Sequence, residues 1–129
     1  MRIIVDAELQ QVAELTEDNI FSSGAIQEDS VPDTPFAVIR MGVRNTGMSD
    51  IYRQNFTIWV HDEPGDYTRI DRIVQGIYGR LDGAEHRTVE EVVGEMILCQ
   101  WQSTGDDTYD PGFRTISRNI TFAAVGTGA

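Results

Sequence analysis

Along residues 66–81 (DYTRIDRIVQGIYGRL) apolar side chains recur every three or four positions: Tyr67, Ile70, Ile73, Val74, Ile77, Tyr78 and Leu81. At 3.6 residues per turn that spacing lines one stripe of a helix. Pro64-Gly65 breaks the chain before it, Asp66 is placed to accept from first-turn amides, and Gly83 can take the left-handed closing conformation. The opposite face carries Arg69, Arg72 and Arg80 with Gly76 and Gly79. Each glycine costs a helix interior roughly 1 kcal/mol relative to alanine. Two readings stand for them: close approach of a neighbouring subunit, or a tolerated weak spot on a well-packed helix.

Four segments have the look of strands. Phe36 to Arg44 is rich in β-branched and aromatic residues and follows a proline. Arg53 to Asp62 alternates, with Phe56, Ile58 and Val60 on one face and Thr57, Trp59 and His61 on the other. These two form an expected antiparallel hairpin. Glu95 to Ser103 is a third strand, with Ile97, Cys99 and Trp101 on one face and Met96, Leu98 and Gln100 on the other. Gly112 to Val125 is a fourth, with Ile116, Ile120, Phe122 and Ala124 sharing a face. Ala7 to Leu15 predicts a short helix with Asp6 as its cap, and residues 22–35, with two prolines, an extended connection. Thr104 to Pro111 reads as a turn-rich connection, Asp82 to Glu91 as an acidic loop, and Gly126 to Ala129 as a frayed tail. The expected fold is a single α+β domain over 1–129, a mostly antiparallel four-stranded sheet with two helices packed on one face.

Two tryptophans change the picture. Trp59 falls on the polar face of its strand, and the strand holding Trp101 is apolar on both faces. One layer of helices covers only one side of a sheet, so these aromatics point to subunit contacts or to packing by loops, with subunit contacts preferred.

Composition narrows the partners. Against 21 acidic residues stand 10 basic ones, all arginine, for a formal charge of -11. That argues against a grip on nucleic acid or an anionic membrane by phosphate neutralisation. From Ile3 to Ile39 there are eight acids and no base. No apolar run reaches the eighteen or so residues of a membrane span, and the N-terminal IIV is too short for a signal-peptide core, so a soluble intracellular chain is expected. Cys99 has no second cysteine to pair with, and between Leu98 and Trp101 it reads as a buried structural thiol.

Catalytic chemistry finds few residues. His61-Asp62-Glu63 contains ligand types for a metal or an acid/base pair, but adjacent strand residues point to opposite faces. His86 lies between Glu85 and Arg87, where surface ion pairing is the default. Asp106 to Asp110 carries carboxylates suited to a hard cation, without the glycine and closing glutamate of a calcium loop. No phosphate-cradling loop, nucleophile elbow, paired cysteines or HExxH is present. The expectation is a non-enzyme with no cofactor and no metal.

Taken together, these patterns resemble the tail terminator (tail-completion) family of long-tailed bacteriophages. The carrying features are an N-terminal helix followed by Ile20-Phe21, a proline-containing connection into Pro35-Phe36-Ala37-Val38-Ile39-Arg40, and the strand Phe56 to Val60. They continue with the helix Ile70 to Leu81 closing in Leu81-Asp82-Gly83, and Asp110-Pro111-Gly112-Phe113-Arg114 running into a polar-alternating strand. The resemblance implies a virion protein assembled in the host cytoplasm, a hexameric ring on the head-proximal end of the tail. Such a ring caps the tail tube protein, stops tube growth, and offers a joining surface to the head-tail connector protein. DNA passes through its channel without specific binding, and acidic groups there would repel it. No membrane is involved.

A closed ring needs two different patches on each subunit. The candidates are Trp59, Arg69, Arg72, Arg80, Glu90, Glu91 and Trp101, with the helix arginines facing the acidic 82–95 segment of a neighbour. The alternatives are a head-tail connector, stopper or tail-tube-like subunit; a small metal-dependent hydrolase using His61, Asp62 and the Asp106 to Asp110 carboxylates; and a non-viral ligand-binding domain.

Overall fold

The computed structural model describes residues 1–27, 29–46, 50–65, 67–90 and 92–128. Helix α1 is Arg2–Leu9 and α2 is Thr68–Leu81. The strands are β1 (Ile20–Ser22), β2 (Phe36–Met41), β3 (Asn45–Thr46), β4 (Ile51–Asp62), β5 (Glu85–Arg87), β6 (Glu95–Thr104), β7 (Thr108–Asp110) and β8 (Thr115–Thr127). They form one sheet in the order β1-β2-β4-β8-β6-β5, with β3 beside β4 and β7 beside β8.

The class is α+β, but the four-stranded antiparallel sheet is overturned: the described residues form eight strands, and β1 runs parallel to β2. The added strands β1, β3, β5 and β7 are two or three residues long. Runs so short carry no readable alternation; a ladder partner distant in sequence makes them strands.

The long β8 holds the centre, paired with β4 from Ile51↔Thr127 to Asp62↔Ile116 and with β6 on its other side. This pairing reaches Gly126 and Thr127, so the expected frayed tail begins no earlier than Gly128, and Ala129 lies outside the described residues. Tyr52, Phe56, Ile58 and Val60 of β4 and Ile120, Phe122 and Ala124 of β8 are buried beneath the helices. Ile70, Ile73, Val74, Ile77 and Leu81 of α2 meet them, on the stripe the spacing predicts, whereas Tyr67 and Tyr78, the other two residues of that stripe, are 46% and 44% exposed. Gly83 closes that helix at φ +75° and donates to the Cys99 carbonyl, while Asp66 lies outside the described residues.

Two local expectations are corrected. The first helix begins at Arg2 rather than Ala7, so Ile4 and Val5 are core residues, and Asp6 sits within the helix accepting from Arg2 Nε at 2.8 Å. Val12 and Leu15 are still buried, carried by turns rather than helix. The 104–111 connection is likewise part of the sheet. β7 extends the β6 ladder along β8 after a short break, and the reversal comes at 111–114, where Asp110 Oδ1 accepts from the Phe113 amide and Arg114 takes φ +57°. An irregularity between Met96 and Leu98 also shifts the side-chain alternation, placing Met96 with Cys99 under the helices. No helix among the described residues is long and apolar enough to cross a membrane.

Candidate functional site

The face of the sheet away from the helices is open. By register, Arg40 of β2, Arg53, Asn55, Thr57 and Trp59 of β4, Asn119, Thr121, Ala123 and Val125 of β8, and Leu98, Gln100 and Ser103 of β6 share it. These positions are exposed or half-buried. Thr57 and Thr121 bridge strands through their hydroxyls at 3.0 Å. In a chain of net charge -11, this central stretch contains no carboxylate.

One end of the open face is capped. The His61 ring stacks on Phe36 at 4.7 Å between centroids, Phe113 meets both edge-on, and His61 Nδ1 shares a 2.8 Å hydrogen bond with Thr115 Oγ1. Trp59, half-buried, lines a cleft of about 360 Å³ beside His61, Arg40 and Phe113.

Burial holds the His61 imidazole below its ordinary value of 6.5, partly opposed by the Asp110 charge. A base with a depressed folded pKa binds protons more readily when unfolded. Its contribution is therefore whole above the unfolded value and is lost as pH falls from there through the folded one. Urea titrations at about pH 7.5 and 5.5 should show the wild type losing stability, and His61→Gln should flatten that slope. An unchanged slope in the variant would assign it elsewhere.

His61 and Asp62 face opposite sides of the sheet. Asp62, buried, accepts from Arg69 Nε at 2.8 Å, from a second Arg69 nitrogen, and from the Glu63 amide. Asp107 is engaged by Arg118, and Asp110 by the turn it stabilises. Arg118 also reaches Asp71 in the first turn of α2, and these carboxylates raise its pKa further. Among the described residues no three metal-ligating side chains come together. The Cys99 thiol is pushed up to about 12, first by burial and then by Asp82, which leaves it protonated and inert.

The helix arginines find partners within the chain. Arg72 pairs with Glu14, and Arg80 donates to Glu8 Oε2 at 2.8 and 3.1 Å. A Cβ on Gly76 would lie 3.0 Å from Val12, so that glycine admits the chain's own segment after α1, whereas Gly79 faces open space. Trp101 is 41% exposed at the helix side of β6, its ring 6.0 Å from Tyr78 and its indole N–H donating to Thr104 Oγ1. Glu90 is exposed, and Glu91 lies outside the described residues.

Sequence patterning alone does not single out Arg40, Arg44 and Arg53 as candidate site residues. Arg53 does share the polar parity of Trp59 and Thr57, a signal present in the sequence. Arg44 lies in the break between β2 and β3 and stacks on the Tyr52 ring at 4.2 Å, which no periodicity reveals. None of the three has an ion-pair partner among the described residues.

The sequence matches no protein-family model and no curated protein. The fold is shared with a virion chain. A chain of the virion of a native gene transfer agent particle superposes with a TM-score of 0.69, over 99% of this chain and 95% of that one. Identity is 12%, so the likeness is one of fold. It covers nearly the whole of both chains.

Proposed function

We propose that this chain is a structural subunit of a phage-like virion and, within that particle, the terminator of the tail. The observation that carries the reading is the end-to-end fold likeness to a virion chain, which meets the family resemblance carried by the sequence. The architecture supports an assembly role. Both helices contribute to one core, leaving a bare sheet face and two sheet edges, surfaces that a subunit can give to its neighbours. In this reading six copies form the ring, one end meets the tail tube protein, the other meets the head-tail connector, and DNA passes without being held.

Electron microscopy of particles made without the chain tests this. Overlong tails and unjoined heads are expected. Tails of normal length beside unjoined heads would move the chain to the connector or stopper role, and complete, normal particles would overturn a structural role at this junction.

A further inference from the structure

The chain's charge is distributed unevenly along the sheet. From Phe36 to His61 there are three arginines, Arg40, Arg44 and Arg53, and a single acid, Asp50; from Asp82 to Glu95 there are five acids and one arginine. Of these stretches, β2 and β3 lie toward one edge of the sheet and β5 forms the other.

β1 covers the outer side of β2 only along Ala37 to Ile39. Beyond it, the edge is the end of β2, the bend at 42–44, and β3, which must lie on the β2 side of β4 because β8 occupies the other side at Tyr52 and Arg53. The bend is held tightly: the Gly42 amide donates to the Asn55 carbonyl at 2.7 Å, and Gln54 Nε2 donates to the Gly42 carbonyl at 2.8 Å. A Cβ at Gly42 would come within 2.7 Å of that same Asn55 oxygen. Val43 is thereby turned outward, 83% exposed. Arg53 flanks it on the open face and Arg44 on the helix side, and Arg40, Arg44 and Arg53 are all exposed.

At the other extreme, β5 is the last strand of the sheet and exposed throughout. Glu85, opposite Leu98, sits on the open-face side, and Glu90 follows in the exposed turn. Neither has an ion-pair partner among the described residues.

We infer that the β2–β3 edge of one copy docks on the β5 edge of the next, with Arg40 and Arg53 meeting Glu85 and Glu90 around Val43. This rests on the ring reading above and names the contact that closes it. The occupant is a second copy because the complementary charge is on this chain's own opposite edge. A DNA backbone does not fit as well, since two or three arginines would bring phosphate against a protein of net charge -11. Patches on opposite edges make a heterologous contact, the kind that generates rings.

Two variants test the pairing: Arg40→Glu with Arg53→Glu, which makes both edges acidic, and Glu85→Arg with Glu90→Arg, which makes both basic. Native mass spectrometry of the full chain at high concentration should show the wild type assembling and each variant losing its oligomers. An equimolar mixture of the two should recover them, because alternating copies restore opposite charges at every contact of an even-numbered ring. Misfolding would not be rescued by mixing. Assembly of both variants alone, or failure of the mixture, overturns the inference.

For a wild type that is monomeric by itself, the same question is put to purified particles carrying Val43→Cys and Glu85→Cys, treated with a short bismaleimide. Buried Cys99 stays silent. A ladder of multimers absent from the single-cysteine particles is expected; incorporated chain without a ladder overturns the contact and leaves the virion role standing. A chain missing from particles that are normal without it removes the virion role instead.

Discussion

Replacing Phe122 by alanine should destabilise the fold by about 3–5 kcal/mol. Phe122 is fully buried at the middle of β8, with Phe56 of β4 stacked beside it at 5.4 Å and α2 overhead. Truncation removes the ring's transfer free energy and leaves a void that the paired strands on either side resist closing. Native stability for a domain of this size is of order 5–15 kcal/mol, so the variant should sit near the edge of folding. In a thermal melt the midpoint should fall by roughly 10–20 °C. Phe122→Leu, which keeps most of the volume, should lose far less. Similar melts for the two variants would mean that the site collapses freely and that β8 is not the rigid centre of the core.

Arg69→Met should cost about 3 kcal/mol, by a different mechanism. The Asp62 side chain is 1% exposed and its main charge partner is Arg69, itself 38% exposed. Removing the arginine strands a carboxylate in the interior with, among the described residues, the Glu63 amide still donating to it, and an uncompensated buried charge is far costlier than the loss of an exposed pair. Adding Asp62→Asn to Arg69→Met removes that charge and should recover part of the loss. Chemical denaturation of the wild type, both single variants and the double variant measures the coupling. Additive losses would show that Asp62 and Arg69 act separately.

The same pair illustrates what was legible in the sequence. The spacing puts Arg69 on the non-core side of α2 and the alternation of β4 puts Asp62 and His61 on opposite faces, and the structure has both. That Asp62 would be buried and arginine-bound could not be read, because a strand-end carboxylate followed by Glu63 and Pro64 has every local mark of a solvated turn. The helix face offers Arg72 and Arg80 to a neighbouring subunit, and within the chain they already pair with Glu14 and Glu8 of the N-terminal segment. Gly76 differs from both readings open to it: what approaches is neither a neighbouring subunit nor empty space on a tolerated weak spot, but Val12 of the same chain. In each case the surface needed a partner, and the fold met the need within the chain. The arginines left over, Arg40 and Arg53 above all, became visible only once the others had been accounted for.

Periodicity in one dimension records burial on one side of an element, and so the amino-acid order alone determined α2, the long strands β4 and β8, most of the core, and the absence of a motif for catalysis. It determined the charge imbalance as well. The number of strands, the parallel pairing of β1, the shifted alternation in β6 and the partner of each arginine were decided in three dimensions. They depend on groups far apart in the chain, as Arg80 and Glu8 are at 72 positions, and a short strand or an ion pair carries no periodic signature of its own. Its free energy comes from what the rest of the fold brings beside it.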